Sequence, residues 1–151
     1  MKALVIKYTE GFNLIALPCN QFELQEPGTN AEILPGLKCV RPGGGFEPNF
    51  EIYAKVEVNG RNAHPLFTHL KEYCPPVKRE IGDPSLFYWS PITVGDITWN
   101  FNKFLVDHKG IPYKRYESAV EPAELQADIE LLLSMRREDL EQPGSRFLNR
   151  T

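Results

Sequence analysis

Trp99 and Asn100 stand side by side at the head of the stretch WNFNKFLVDHKG, directly before a strand-like run. An indole N–H and a carboxamide are neutral donors, and burying them is unfavourable unless something nearby accepts their hydrogen bonds. The pair therefore calls for an acceptor. Other residues with chemical potential form no recognisable constellation. Cys19, Cys39 and Cys74 are odd in number and irregular in spacing, which fits neither a disulfide framework nor a zinc cluster. Free thiols in a reducing compartment are expected. His64 and His69 lie five apart, so on a helix they would not share a face as an i, i+4 ligand pair does, and no metal site is expected. The three glycines of RPGGGFEPNF could cradle an anion with backbone N–H groups. No P-loop Lys-Ser/Thr follows them, which favours a structural loop.

The elements that position these residues belong to a chain of 151 residues, 42% hydrophobic and 25% charged, with a net charge of −3. That balance fits one soluble globular domain. The basic residues are scattered rather than striped, so nucleic acid is not an expected partner and a small-molecule substrate is. No apolar stretch reaches the roughly 18 residues of a spanning helix, and the N-terminal run is too short for a signal peptide. A cytoplasmic location is therefore expected.

Leu4, Val5 and Tyr8 recur at helical spacing, with Gly11 placed as a C-cap. The apolar run at 12–17, closed by Pro18, reads as a strand buried on both faces and paired in parallel. Thr29 followed by Glu32 predicts a capping box ahead of a helix with Ile33, Leu34 and Leu37 on one face, bent or shortened by Pro35-Gly36. Residues 41–50 cannot be regular, and FEIYAKVEVNG alternates as a strand ending in an Asn-Gly turn. HPLFTHLKEYC predicts a short helix whose apolar face is Leu66, Phe67, Leu70 and Tyr73, stopped by Pro75 and Pro76. After a long connection to Pro91, residues 101–118 read as two strands joined by a tight turn at Asp107 to Gly110. EPAELQADIELLLSMRR predicts an amphipathic helix with Pro122 in its first turn and Arg136 and Arg137 at its basic end.

Several long segments, in order, carry a family resemblance: LPCNQFELQEPGTNAEILPGLK, VRPGGGFEPNF, EVNGRNAHPLFTHLKEYCP, WSPITVGDITWNFNKFLVDHKGIP and KRYES. Over nearly the whole length to about Leu133 the chain resembles the glutathione peroxidases. The resemblance implies an α/β, thioredoxin-like fold. It also implies reduction of hydrogen peroxide or organic hydroperoxides by a selenol or thiol that glutathione restores, glutathione being a reducing co-substrate beside which no cofactor is expected. By motif, the residues that hold the peroxidatic selenocysteine or cysteine fall on Gln25, Trp99 and Asn100, so the acceptor these donors call for is a selenolate or thiolate. Neutral donors would stabilise that nucleophile and the oxyanion leaving the O–O bond.

The nucleophile itself is expected upstream of a helix inside which Met1 aligns, so the first core strand and the nucleophile loop are read as missing. Residues 1–135 are then a peroxidase domain incomplete at its N-terminus, and 136–151 a C-terminal tail. One explanation is a UGA selenocysteine codon taken as a stop; a lost leader would make the full-length parent a secreted protein. Cys19 belongs to the PCNQF turn and is no substitute. The resemblance places Arg41, Lys114 and Arg115 where glutathione carboxylates are received, while the second basic pair expected after the tyrosine is here Ser118-Ala119. Cys39 stands close to where thioredoxin-dependent members carry a resolving cysteine, so it is a candidate for that role. The loop at 41–50 and the long connection resemble those of tetrameric members, which implies a homotetramer. A non-catalytic subunit-pairing module is the alternative from a different class. The missing strand is expected to leave inner sheet edges open and the isolated chain aggregation-prone or only partly folded.

Overall fold

The computed structural model describes residues 1–78 and 80–141. The helices are α1 (Lys2–Lys7), α2 (Asn30–Cys39), α3 (Pro65–Tyr73) and α4 (Gln126–Glu141). The strands are β1 (Ile15–Ala16), β2 (Glu51–Ile52), β3 (Lys103–Val106) and β4 (Pro112–Tyr116). Among the described residues β1 pairs only with β2, in parallel, and β3 only with β4, antiparallel. The mixed α/β architecture and the parallel pairing follow the sequence expectation.

Local chemistry explains where the elements begin and end. Both halves of the Thr29–Glu32 capping box form, with Glu32 Oε2 accepting from the Thr29 N–H at 2.7 Å and from its hydroxyl at 2.8 Å. The helix runs through Pro35 to Cys39, so it is not shortened there. Pro122 opens a 3₁₀ turn that feeds α4, with Glu121 and Glu124 as a second capping box. In the hairpin turn Asp107 Oδ1 accepts from the N–H groups of Lys109 and Ile111, and Gly110 supplies a φ of +82°. Gly43, Gly44 and Gly45 all have positive φ, which is why residues 41–50 carry no regular structure.

Six expectations need correction. β1 is two residues long and Ile15 is 46% exposed, so this strand is not buried on both faces. The predicted strand of FEIYAKVEVNG keeps only Glu51–Ile52 in its ladder, because Pro18 has no N–H to donate and the Lys55 N–H is taken by Asn30 Oδ1. Tyr73 and Leu34 are exposed, leaving Leu70 and Ile33 as the buried residues of their helices. Tyr8, not Gly11, caps α1, and α4 continues past Arg136 and Arg137 to Glu141. Residues 142–151 of the expected tail lie outside the described residues.

Two apolar clusters flank the hairpin. Leu105 and Tyr116 join Leu4, Tyr8, Leu125, Ile129 and Leu132, so α1 and α4 cover one side. Phe104, one residue earlier and therefore on the opposite face, joins Phe22, Val58, Ile97, Trp89 and Trp99. The second cluster lies beneath the residues singled out for chemistry.

Because β1 and β3 each keep an unpaired edge among the described residues, the chain is expected to self-associate through strand pairing. Light scattering over a dilution series should show mass rising with concentration, and Ile15→Lys should lower it. A monomer mass throughout the series would contradict this reading.

Candidate functional site

Gln25 ends a tight turn in which Glu23 and Leu24 both take left-handed backbone conformations, with φ of +49° and +53°. Such conformations are unfavourable for side-chain-bearing residues and persist only where the surroundings enforce them. Phe22, buried beneath, pairs with Phe87 across an isolated bridge, and Asn20 Oδ1 accepts the Glu26 N–H at 2.9 Å. The turn is thus clamped on both sides of Gln25.

Trp99 and Asn100 sit in a second turn, followed by Phe101 at a φ of +56°. Glu23, Leu24 and Phe101 are the three non-glycine residues with positive φ among those described, and all flank the expected donors. The two turns meet: Asn100 Nδ2 donates to Gln25 Oε1 at 2.8 Å across 75 residues of sequence. Trp99 is half-buried, its ring tilted against Phe22 at 6.1 Å between centroids. Gln25 Nε2 donates to Glu23 Oε2 at 3.1 Å, and among the described residues Trp99 Nε1 has no hydrogen-bond partner. The group therefore offers an indole N–H and two carboxamides at the surface, a set suited to an anion.

Beneath it lies a buried polar network that sequence reasoning missed. Gln21 Oε1 accepts the N–H groups of Val58 and Asn59 at 2.9 and 3.0 Å, and its Nε2 donates to Asn59 O at 3.0 Å. The fully buried Asn59 exchanges two hydrogen bonds with Ile97, at 2.8 and 2.9 Å, as a strand neighbour would. Asp96, 1% exposed, accepts from Trp89 Nε1, the Thr93 N–H and the Thr93 hydroxyl, each at 2.8 Å, and from Lys71 Nζ at 3.2 Å. Burial pushes the Asp96 carboxyl up. The bonds from Thr93 and Trp89 and the Lys71 charge outweigh it, and the net shift is down. The only advance signal was the Asn59-Gly60 turn dipeptide. Gln21, Asn59 and Asp96 otherwise look like surface residues.

The other expected site residues lie elsewhere. Arg115 is 2% exposed and donates to Asn102 Oδ1, Gly95 O and Asp96 O at 3.0 to 3.1 Å, with its guanidinium over the Phe104 ring. Its donors hold the chain together, so this side chain is not presented to a ligand. Lys114 is exposed and bound to Asp128 at 2.7 Å. Arg41 and Cys39 are exposed at the C-terminal end of α2, and among the described residues their side chains make no hydrogen bond or ion pair to the donor group. Cys19 and Cys74 are buried, and desolvation pushes both thiols up.

Two outcomes follow. Native-state alkylation should modify Cys39 first, with Cys19 and Cys74 reacting only on unfolding; equal labelling of all three would contradict the burial. Asp96 is depressed in the folded state, so its contribution to stability is complete above the unfolded value of about 3.9 and is lost as pH falls through the folded one. Asp128, Glu130 and Glu32 are also depressed, so the readout is a difference. The melting temperature of Asp96→Asn should lie below that of the parent at pH 7 and converge on it towards pH 2. A constant gap would remove Asp96 from the acid response.

The family model described as glutathione peroxidase matches residues 1–71. Glutathione peroxidase 1 of Rattus norvegicus is 49% identical over 128 residues, covering 82% of this chain and 64% of that protein. Glutathione peroxidase 3 of the same organism is 47% identical, covering 85% and 56%. A glutathione peroxidase of Molluscum contagiosum virus subtype 1 is 49% identical over 127 residues, covering 82% and 58%. The chain thus spans less than two thirds of the length of these curated relatives. Among solved structures, T. cruzi GPX1 superimposes with a TM-score of 0.59 at 28% identity, covering 88% of this chain and 68% of that one. Trgpx in apo form superimposes with a TM-score of 0.58 at 26% identity, covering 87% and 64%. Carrying the ordered motifs, the clamped turns that join Gln25 to Asn100, and these likenesses over most of its length, the chain belongs to the glutathione peroxidase family and has its thioredoxin-like α/β fold.

Proposed function

We propose that this chain supplies the donor half of a peroxidase site that reduces hydrogen peroxide and organic hydroperoxides at the expense of glutathione. The observation that carries the reading is the junction of Gln25 and Asn100 at 2.8 Å beside the half-buried Trp99. Trp99 Nε1 and the two carboxamides would hold a selenolate or thiolate as an anion without a permanent ion pair. As that nucleophile bonds to one peroxide oxygen, the O–O bond breaks and the departing oxyanion collects a proton. The same donors stabilise the charge on the way. One glutathione thiol then displaces the bound oxygen as water and the second displaces the first, so that the two leave as a disulfide and the nucleophile is restored.

Arg41 and Lys114 are the exposed cations that support recognition of glutathione carboxylates. The exposed loop at 41–50, with Val40 beside it at 78% exposure, supports homotetramer assembly in the full-length form. Unpaired cysteines support a reducing, cytoplasmic location. Exposure of Cys39 favours a second reading, in which it resolves an oxidised nucleophile by forming a disulfide that thioredoxin then reduces.

In the form that carries the nucleophile, Trp99→Phe or Gln25→Ala should lower the rate constant for peroxide by about 10²- to 10³-fold and leave the thiol step unchanged. Undiminished rates would sink the assignment. Loss of turnover in Cys39→Ser would move the protein to the thioredoxin-dependent reading.

A further inference from the structure

The left-handed turn at Phe101 lacks an anchor of its own, since the Phe101 ring is 79% exposed and buries little. A bulky residue in this conformation is strained, so neighbouring groups must enforce it. Two side chains do. Asn102 Nδ2 donates to the carbonyl of Trp99 at 3.2 Å, and the Ser118 hydroxyl donates to the carbonyl of Asn100. Fixing a carbonyl fixes the plane of its peptide, so both donor residues have their backbone held from outside the turn.

The orientation of Asn102 is itself determined. Its Oδ1 accepts from Arg115 Nε at 3.1 Å, and Arg115 is buried and tied to Gly95 O and Asp96 O. Flipping the carboxamide would set its NH₂ against a guanidinium that only donates. A chain of constraint therefore runs from Arg115 through Asn102 to Trp99. A second runs from the end of β4 through Ser118 to Asn100, and Ser118 stands where the resemblance leads one to expect a basic residue.

We propose that Asn102 and Ser118 are positioning residues that hold the Trp99–Asn100 turn so that the Asn100 carboxamide meets Gln25 and the Trp99 ring stays against Phe22. The catalytic consequence rests on the peroxidase reading; the positioning does not. Asn102→Asp keeps the Arg115 partner and replaces the donor to Trp99 with an acceptor. Ser118→Ala removes the hydroxyl, and Ser118→Thr restores it.

In the ¹⁵N-labelled 151-residue chain, the Asn100 carboxamide and Trp99 indole resonances report the turn. Ser118→Ala and Asn102→Asp should each abolish the Asn100–Gln25 cross-peaks, and Ser118→Thr should retain them. Persistence of the cross-peaks in both loss variants, or their absence in a folded Ser118→Thr, would overturn the proposal. In the form that carries the nucleophile, Ser118→Ala should slow reaction with peroxide about tenfold while Ser118→Thr matches the parent. Cross-peaks lost with no change in rate would uphold the positioning and count against the peroxidase reading, so the two fail separately.

Discussion

The buried carboxylate of Asp96 is the constraint around which this structure is arranged. An isolated charge at 1% exposure is strongly disfavoured, and its cost is met by four donors from Trp89, Thr93 and Lys71. Those donors come from the long connection before β3 and from α3, so satisfying one side chain fixes two distant segments. Arg115 extends the arrangement by binding the Asp96 carbonyl rather than its carboxylate, which brings in the hairpin. Gln21 and Asn59 complete it by acting as substitute backbone, filling ladder positions that the chain itself leaves empty.

This network explains how exposed donors can be placed accurately on loops. Gln25 follows Gln21 by one tight turn, and Trp99 follows Asp96 by three residues. Each donor is therefore anchored within four residues of a fully satisfied buried polar group. Loops carry the chemistry, but a polar core fixes where the loops go.

Legibility in the sequence followed the range of the interactions. The capping box of α2, Pro122 at the entry to α4 and the Asp107–Gly110 turn depend on partners within four residues, and each stands as read. Gln25, Trp99 and Asn100 came from motif resemblance, because nothing local to Gln25 announces a partner 75 residues away. Arg115 was misplaced for a related reason. On an alternating strand a basic residue looks like a solvent face, and the carbonyls of Gly95 and Asp96, with the Asn102 carboxamide, turn it inward. Asp96 and Asn59 escaped notice because polarity normally means surface, and their burial depends on partners elsewhere in the chain.

The left-handed residues Glu23, Leu24 and Phe101 carry a consequence for how this sequence can drift. At these positions glycine or asparagine relieves local strain, although glycine loosens the unfolded chain, while valine, isoleucine or threonine adds a β-branched clash. Variation is thus channelled by backbone geometry at sites whose side chains are themselves exposed. Conversion of Phe101 to a β-branched residue would be a conservative change by hydropathy and a disruptive one by conformation. A scale of chemical similarity would misjudge tolerance most severely beside the donor residues.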